Sequence, residues 1–327
     1  DLKKIKGKKN FRLIGMGGSV LGSQAIFNFL KKKINKKFLF FNNLKSFQEL
    51  NKKEKFTNLI VSKSGNTLET ILNANILINK KDENIFITEN KSSYLLNLAH
   101  KLKAEIVYHN NFIGGRYSVL SEVGMLPAEL MGLNPKKFRQ FNNIVKNKKF
   151  LNLLIKNTTA ILHYSKKKKY NSIIINNHHK SNYLFQWYQQ LVAESLGKKG
   201  KGILPIISTM PKDNHSVMQL YLDGPKTNFY TFFYIAEKDL FKIKKKNLLR
   251  SHNYLKNRSI NQIIYSQKLA TQKVFNDKKI PFRSFEVSNK TEKSIGELFC
   301  FFILETILLG MSMNVDPFDQ PSVELIK

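Results

Sequence analysis

Cysteine is almost missing from this sequence. A single residue, Cys300, stands among 327, so no internal disulfide can form. It lies in the apolar run FCFFILETILLG, where a buried structural thiol in a reducing cytoplasm is the expectation. Histidine, cysteine and acidic residues nowhere adopt metal-ligand spacing, and no nucleophile elbow is present, so metal and acyl-enzyme mechanisms lack support and no cofactor is called for. No stretch has the pattern of a signal peptide. No apolar run reaches about 18 residues, because Glu305 interrupts the one around Cys300, so a soluble cytoplasmic protein off the membrane is expected.

Acidic residues are scarce as well. There are 23 Asp and Glu against 55 Lys and Arg, a net charge of +32. Such a balance ordinarily raises nucleic acid or an acidic membrane as a partner. Here the lysines are spread along the whole chain in short tracts, beside abundant Asn, Ile and Phe. That joint enrichment reads as AT-rich coding bias on solvent-facing positions, so no specific nucleic-acid partner is expected. A small phosphorylated substrate would still be drawn to such a surface.

Against these absences, FTNLIVSKSGNTLET at 56–70 is the most informative stretch. Phe56, Leu59, Ile60 and Val61 form a short apolar strand, and Leu68 to Leu77 form a helix. Between them lie Ser62, Lys63, Ser64, Gly65, Asn66 and Thr67. A loop that ends a strand and opens a helix offers unpaired N–H groups and the positive end of the dipole, which suits an anion such as phosphate. Helix capping alone would need fewer polar side chains than the loop carries.

A first strand, Phe11 to Met16 with Gly15 near its end, runs into Gly17, Gly18, Ser19, Val20, Leu21 and Gly22 and then a helical stretch, with Ser19 where a helix N-terminus would begin. A dinucleotide site is excluded on two counts. Val20 stands where the third glycine belongs, and the strand FLFFNN ends in Asn42 and Asn43 rather than a carboxylate. No Gly-Lys-Ser/Thr follows, so the Walker pattern fails too. Further strands at Asn84 to Thr88 and Ala104 to Tyr108 alternate with helices, the latter leading to Gly114, Gly115 and Arg116. The second half repeats the plan. Helices are expected at Lys136 to Lys149, Leu151 to Lys166, Tyr183 to Leu196 and Thr291 to Met311, with His215 opening another. The fold class is α/β, two parallel sheets each flanked by helices, divided into residues 1–140 and 141–327.

Gln190 and Glu194, four apart, share one helix face. Apolar Leu191, Val192 and Ala193 precede Glu194, so its carboxyl is expected to titrate nearer neutrality, as a general base requires. A solvated glutamate paired with Lys198 fits the spacing equally. Spacing likewise leaves His215 open between cap, surface residue and catalyst.

Six segments in order resemble glucose-6-phosphate isomerases of the bacterial type: GMGGSVLG, SKSGNTLET, GGRYSVLSEVG, QLVAESLGKKGKG, NHSVMQLYLDGPK and DPFDQPSVELIK. The resemblance implies two sugar isomerase (SIS) domains and a phosphate pocket at Ser62, Ser64 and Thr67, with Lys63 and Asn66 in the same loop. Gly18 and Ser19 would line the sugar site. It further implies Glu194 as catalytic base, His215 and Lys327 in ring opening, and Arg116, Gln190 and Gln320 around the reacting carbons. Aldose–ketose interconversion of glucose 6-phosphate and fructose 6-phosphate through a cis-enediol, in glycolysis and gluconeogenesis, would follow, without metal or cofactor. A homodimer with the histidine crossing the interface is implied as well. The competing reading is a non-catalytic sugar-phosphate-binding regulator built from the same domains, which has no need of Glu194, His215 and Lys327 together.

Overall fold

The computed structural model describes residues 5–44, 54–237, 241–244, 246 and 248–324. Lys327 lies outside them.

The first half builds a five-stranded sheet from β1 (Asn10–Gly15), β2 (Lys37–Phe41), β3 (Thr57–Val61), β4 (Glu83–Thr88) and β5 (Glu105–Tyr108). The order is β2-β1-β3-β4-β5 and every pairing is parallel. Parallel strands need crossovers, which α1 (Gly18–Phe29), α2 (Leu68–Leu77) and α3 (Tyr94–Leu102) supply. β3 is central and buried at all five positions, hence its apolar run Leu59, Ile60, Val61. β5, at the edge, is partly exposed.

A 3₁₀ turn at Gly115–Leu120 and α4 (Glu122–Leu130) lead toward the second half. One helix was expected over Lys136 to Lys149. The chain instead forms α5 (Pro135–Phe138) and α6 (Phe141–Val145), then enters α7 (Lys148–Lys166). Arg139 leaves helical dihedrals after α5, and the Asn147 side chain accepts from the Phe150 N–H to start α7 anew. Lysine-rich sequence is permissive of helix, so the breaks come from Asn147 and from packing rather than propensity.

The second sheet comprises β6 (Asn171–Asn176), β7 (Leu204–Thr209), β8 (Asn228–Ile235) and β9 (Phe282–Val287), in order β7-β6-β8-β9, again all parallel. The order repeats that of the first four strands of the first sheet, and so the plan is duplicated. Its helices are α8 (Asn182–Leu196), α9 (Lys212–Ser216), α10 (Met218–Asp223), α11 (Ile260–Asp277) and α12 (Glu292–Ser312), and a short α13 (Pro321–Glu324) closes the described chain.

One continuous core joins the halves. Phe11, Leu13 and Leu59 of the first sheet belong to the same buried cluster as Ile174 and Phe233 of the second, with Ile26 of α1, Leu191 of α8 and Phe299 of α12 between them. Smaller clusters cover the outer face of each sheet.

α12 requires a correction. By length and composition it could cross a membrane, contrary to the expectation that Glu305 interrupts the apolar run, yet 67% of the apolar window is buried inside the protein. Glu305 is wholly buried and receives both guanidinium arms of Arg283, which also donates to Thr231 Oγ1 at 3.0 Å. A buried carboxylate is tolerable only when paired in this way. The helix is thus the spine of the core. Cys300 sits on it, fully buried, and burial pushes its thiol up to about 11, so no reactive thiolate forms at neutral pH.

Candidate active site

The carboxyl ends of β1 and β3 lie side by side, with Gly15 paired to Val61. From β1 the chain crosses to β2 on one side, and β3 and β4 follow on the other, so this is the switch point of the sheet, where α/β folds hold ligands. α1 and α2 both begin there. The residue before α1, Gly17, has φ +52°, a conformation that glycine adopts freely, and no side chain caps that helix. α2 starts after Thr67, which makes no side-chain cap bond either. Two helix N-termini thus converge with first-turn N–H groups that no capping side chain occupies.

The hydroxyl loop therefore does not serve as the cap of α2. Ser62 Oγ and Thr67 Oγ1 are 3.0 Å apart and bonded to each other. Ser64 is exposed, and its Oγ accepts weakly from the Asn66 N–H at 3.3 Å. Asn66 reaches the neighbouring element, its Oδ1 accepting from the Tyr94 N–H at 2.9 Å. Lys63 donates to the Asn111 carbonyl at 2.9 Å and pairs with Glu89 at 3.3 Å, so it ties the loop to the ends of β4 and β5.

The second half reaches this edge through α8. A Cβ at Gly17 would stand 2.8 Å from Gln190 Nε2, and one at Gly18 would stand 2.2 Å from the Gly115 carbonyl oxygen and 2.8 Å from the Arg116 nitrogen. Both positions must stay bare for the three segments to meet. Gly18→Ala is expected to destabilise the protein by about 1–3 kcal/mol, because backbone on both sides must give way. Urea denaturation measures it, and an unchanged midpoint would refute the contact.

Gln190 and Glu194 share a face, as their spacing implied, and Gln190 Nε2 donates to Glu194 Oε1 at 2.9 Å. The surroundings of Glu194 differ from the expectation. Leu191 and Val192 point into the core, whereas Glu194 is about a quarter exposed and its Oε2 faces Arg116 Nη1 at 3.5 Å. Its environment is polar and cationic rather than apolar. Lys198, the alternative partner, pairs with Asp319 instead.

Arg116 is 2% exposed, and every N–H direction of its guanidinium has an acceptor. Nε donates to Ser195 Oγ at 2.8 Å, Nη1 to Gln320 Oε1 at 2.7 Å, and Nη2 to the carbonyls of Pro317 and Asp319 at 2.7 and 2.8 Å. Tyr117 donates its hydroxyl to the Pro317 carbonyl at 2.9 Å and lies 2.8 Å from Ser195 Oγ. With the Tyr117 proton so used, Ser195 must donate to Tyr117 while accepting from Arg116. Burial pushes the Tyr117 phenol up despite Ser195 and Arg116, so it stays a neutral donor.

Upstream, His109 is 3% exposed; its Nε2 is 3.1 Å from the Ile113 carbonyl and its Nδ1 bonds Glu122. Burial pushes the Glu122 carboxyl up, but its own backbone N–H and His109 outweigh this and hold it below the usual range. This pair closes the loop that delivers Gly114 to Ser118. His109, Glu122, Tyr117, Ser195 and Lys198 escaped the reading as site-supporting residues, since their roles lie in tertiary contacts.

The structure therefore brings together Gly18, Arg116, Gln190, Glu194 and Gln320, with Ser19 and the Ser62–Thr67 loop on the adjacent strand ends. Gln190 Oε1 and Thr70 Oγ1 are buried there without a hydrogen-bond partner among the described residues. His215 is a different case. It was expected to open a helix, but α9 begins at Lys212 and ends at Ser216, and Val217 separates it from α10. His215 is exposed, and among the described residues no hydrogen bond or ion pair joins it to Glu194, Arg116 or Gln190.

Comparison with known proteins gives consistent results. The phosphoglucose isomerase family matches this chain over residues 3–203. The glucose-6-phosphate isomerase of Methanocaldococcus jannaschii is 32% identical over 340 residues, spanning 98% of this chain and 83% of that protein. Among solved structures, a hypothetical protein of Thermus thermophilus superposes with a TM-score of 0.87 at 22% identity, over 99% of this chain and 85% of its own. A glucose-6-phosphate isomerase of Chlamydia trachomatis gives 0.79 at 19% identity, over 99% of this chain and 69% of its own.

Proposed function

The chain belongs to the phosphoglucose isomerase family and is a sugar-phosphate isomerase, and from that premise we propose that it interconverts glucose 6-phosphate and fructose 6-phosphate in the cytoplasm, in glycolysis and gluconeogenesis. The observation that carries the reading is the meeting of Glu194, Gln190 and Arg116 beside the Gly17–Gly18 turn, next to two uncapped helix N-termini. Phosphate is held at Ser62, Ser64 and Thr67 with N–H groups of α2, and the sugar extends past Gly18 and Ser19 toward Glu194. Distal anchoring keeps C1 and C2 in register without joining the bond changes.

In the open-chain sugar, Glu194 takes the C2 proton and returns it to C1. The developing enediolate needs fixed positive charge, and Arg116 supplies it, already oriented by Ser195 and the 317–319 carbonyls. Nη1 keeps its contact with Gln320 and offers the sugar oxygen its other proton, which now faces Glu194 only at 3.5 Å. Gln190 fixes the orientation of the Glu194 carboxylate. Ring opening falls to His215 and Lys327. The exposure of His215 on its own chain supports its service across an interface, in a homodimer, and two domains divided at residue 140 complete the reading.

The test is isomerisation of fructose 6-phosphate in deuterium oxide. The product glucose 6-phosphate is expected to carry deuterium at C2, detected by NMR. Substrate binding without turnover would instead favour the regulator.

A further inference from the structure

Directly after Glu194 and Ser195, the chain makes a tight turn at residues 197–202. Gly197 ends α8, where a Cβ would press on the Ala193 carbonyl at 2.7 Å, and Gly202, at φ +143°, packs its backbone on Gly197. Lys198 and Lys201 exchange backbone hydrogen bonds across the turn at 3.1 and 2.9 Å. Their side chains then reach the far end of the sequence. Lys201 Nζ donates to the Met313 carbonyl at 2.7 Å, at the end of α12. Lys198 Nζ donates to the carbonyls of Asp316 and Asp319 and to the Asp319 carboxylate, which uses all the protons of an ammonium.

We infer that Lys198 is a positioning residue, which holds the 316–320 segment so that Gln320 and the carbonyls of Pro317 and Asp319 meet Arg116. The inference rests on the reading of Arg116 and Glu194 as the reacting centre. Residues 313–315 are still tied by backbone hydrogen bonds to the last turn of α12, but 316–320 form no helix or strand, so no regular backbone hydrogen bonding fixes their path. What fixes it is a cluster of donors. Arg116 approaches from one loop, Tyr117 from the next residue, and Lys198 from the end of α8, with Pro317 and Asp319 bonded by these groups. The Lys198 side chain is 9% exposed while Asp319 is 52% exposed. An ion pair with one partner so open contributes little stability. The consequence of Lys198 therefore lies in the geometry it imposes. The same turn that ends the Glu194 helix also sets the distance from Glu194 to Gln320.

Lys198→Met is expected to lower kcat about 10- to 100-fold with KM changed less than about threefold, since phosphate anchoring is untouched. Lys198→Arg, which can still reach the carbonyls, is expected to recover most of the loss. Gln320→Ala combined with Lys198→Met should be no slower than the slower single variant, because both act through the same contact with Arg116. Independently of substrate, hydrogen exchange at backbone amides of residues 316–324 should accelerate at least about tenfold in Lys198→Met, with α8 protection retained. Unchanged exchange there, or multiplicative losses in the double variant, would overturn the inference. Exchange needs no turnover, so it decides the role of Lys198 even where an inactive wild type removes the isomerase reading.

Discussion

Glu194→Gln is expected to lower kcat for fructose 6-phosphate about 10³- to 10⁴-fold while KM stays within about threefold. Glutamine has nearly the shape of glutamate and keeps a carbonyl oxygen for the Gln190 amide, so the contact at 2.9 Å survives. What disappears is the proton acceptor, and no other carboxylate hydrogen-bonds with Arg116 or Gln190 among the described residues. Binding is expected to persist because the Ser62–Thr67 loop, proposed to hold phosphate, belongs to the other half of the chain. Steady-state kinetics coupled to glucose-6-phosphate oxidation give both constants. A variant within tenfold of wild type would take the base role from Glu194.

The second large effect is expected at Arg116. Arg116→Lys keeps a positive charge but replaces a planar fork with a single ammonium, and these are not interchangeable at a site with acceptors on every side. Lysine cannot satisfy Ser195, Gln320, Pro317 and Asp319 together. Acceptors left unpaired in a buried setting are expected to cost about 1–3 kcal/mol. Loss of a fixed donor at the enediolate is expected to reduce kcat a further 10²- to 10³-fold or so. Urea denaturation reads the first effect; kcat, measured without urea at a temperature where both proteins are folded, reads the second. Equal kcat in a variant of lowered stability would make Arg116 a structural residue only.

Much of the fold is legible in the residues because parallel strands buried on both faces read as uninterrupted apolar runs. LIV in TNLIV and III in NSIIIN are such runs, and each lies in an inner strand. The lysine-rich region before residue 150 is not legible in that way. Lysine suits both helix and exposed turn, and only the Asn147 cap betrays a new start. For the site, side-chain chemistry marked Glu194, Gln190, Arg116 and the hydroxyl loop. The error over the surroundings of Glu194 has a simple cause. Leu191 and Val192 are buried and Ala193 is half-buried, so they report the core that α8 covers, while the polar groups facing Glu194 come from other segments of the chain. The acceptors of Arg116 are largely backbone carbonyls, which leave no trace in residue identity. Lys198 was legible as a charge, but its partner lies 121 positions away.

The continuous core behind the site bears on how substrate enters. Since α1 and α8 are packed through shared apolar side chains, the two sheets cannot swing apart without exposing that core. A clamshell opening would strip buried side chains of α1, such as Ile26, from those of α8, such as Leu191. Admission and release of substrate are therefore expected at the strand-end loops, with the two halves moving as one body.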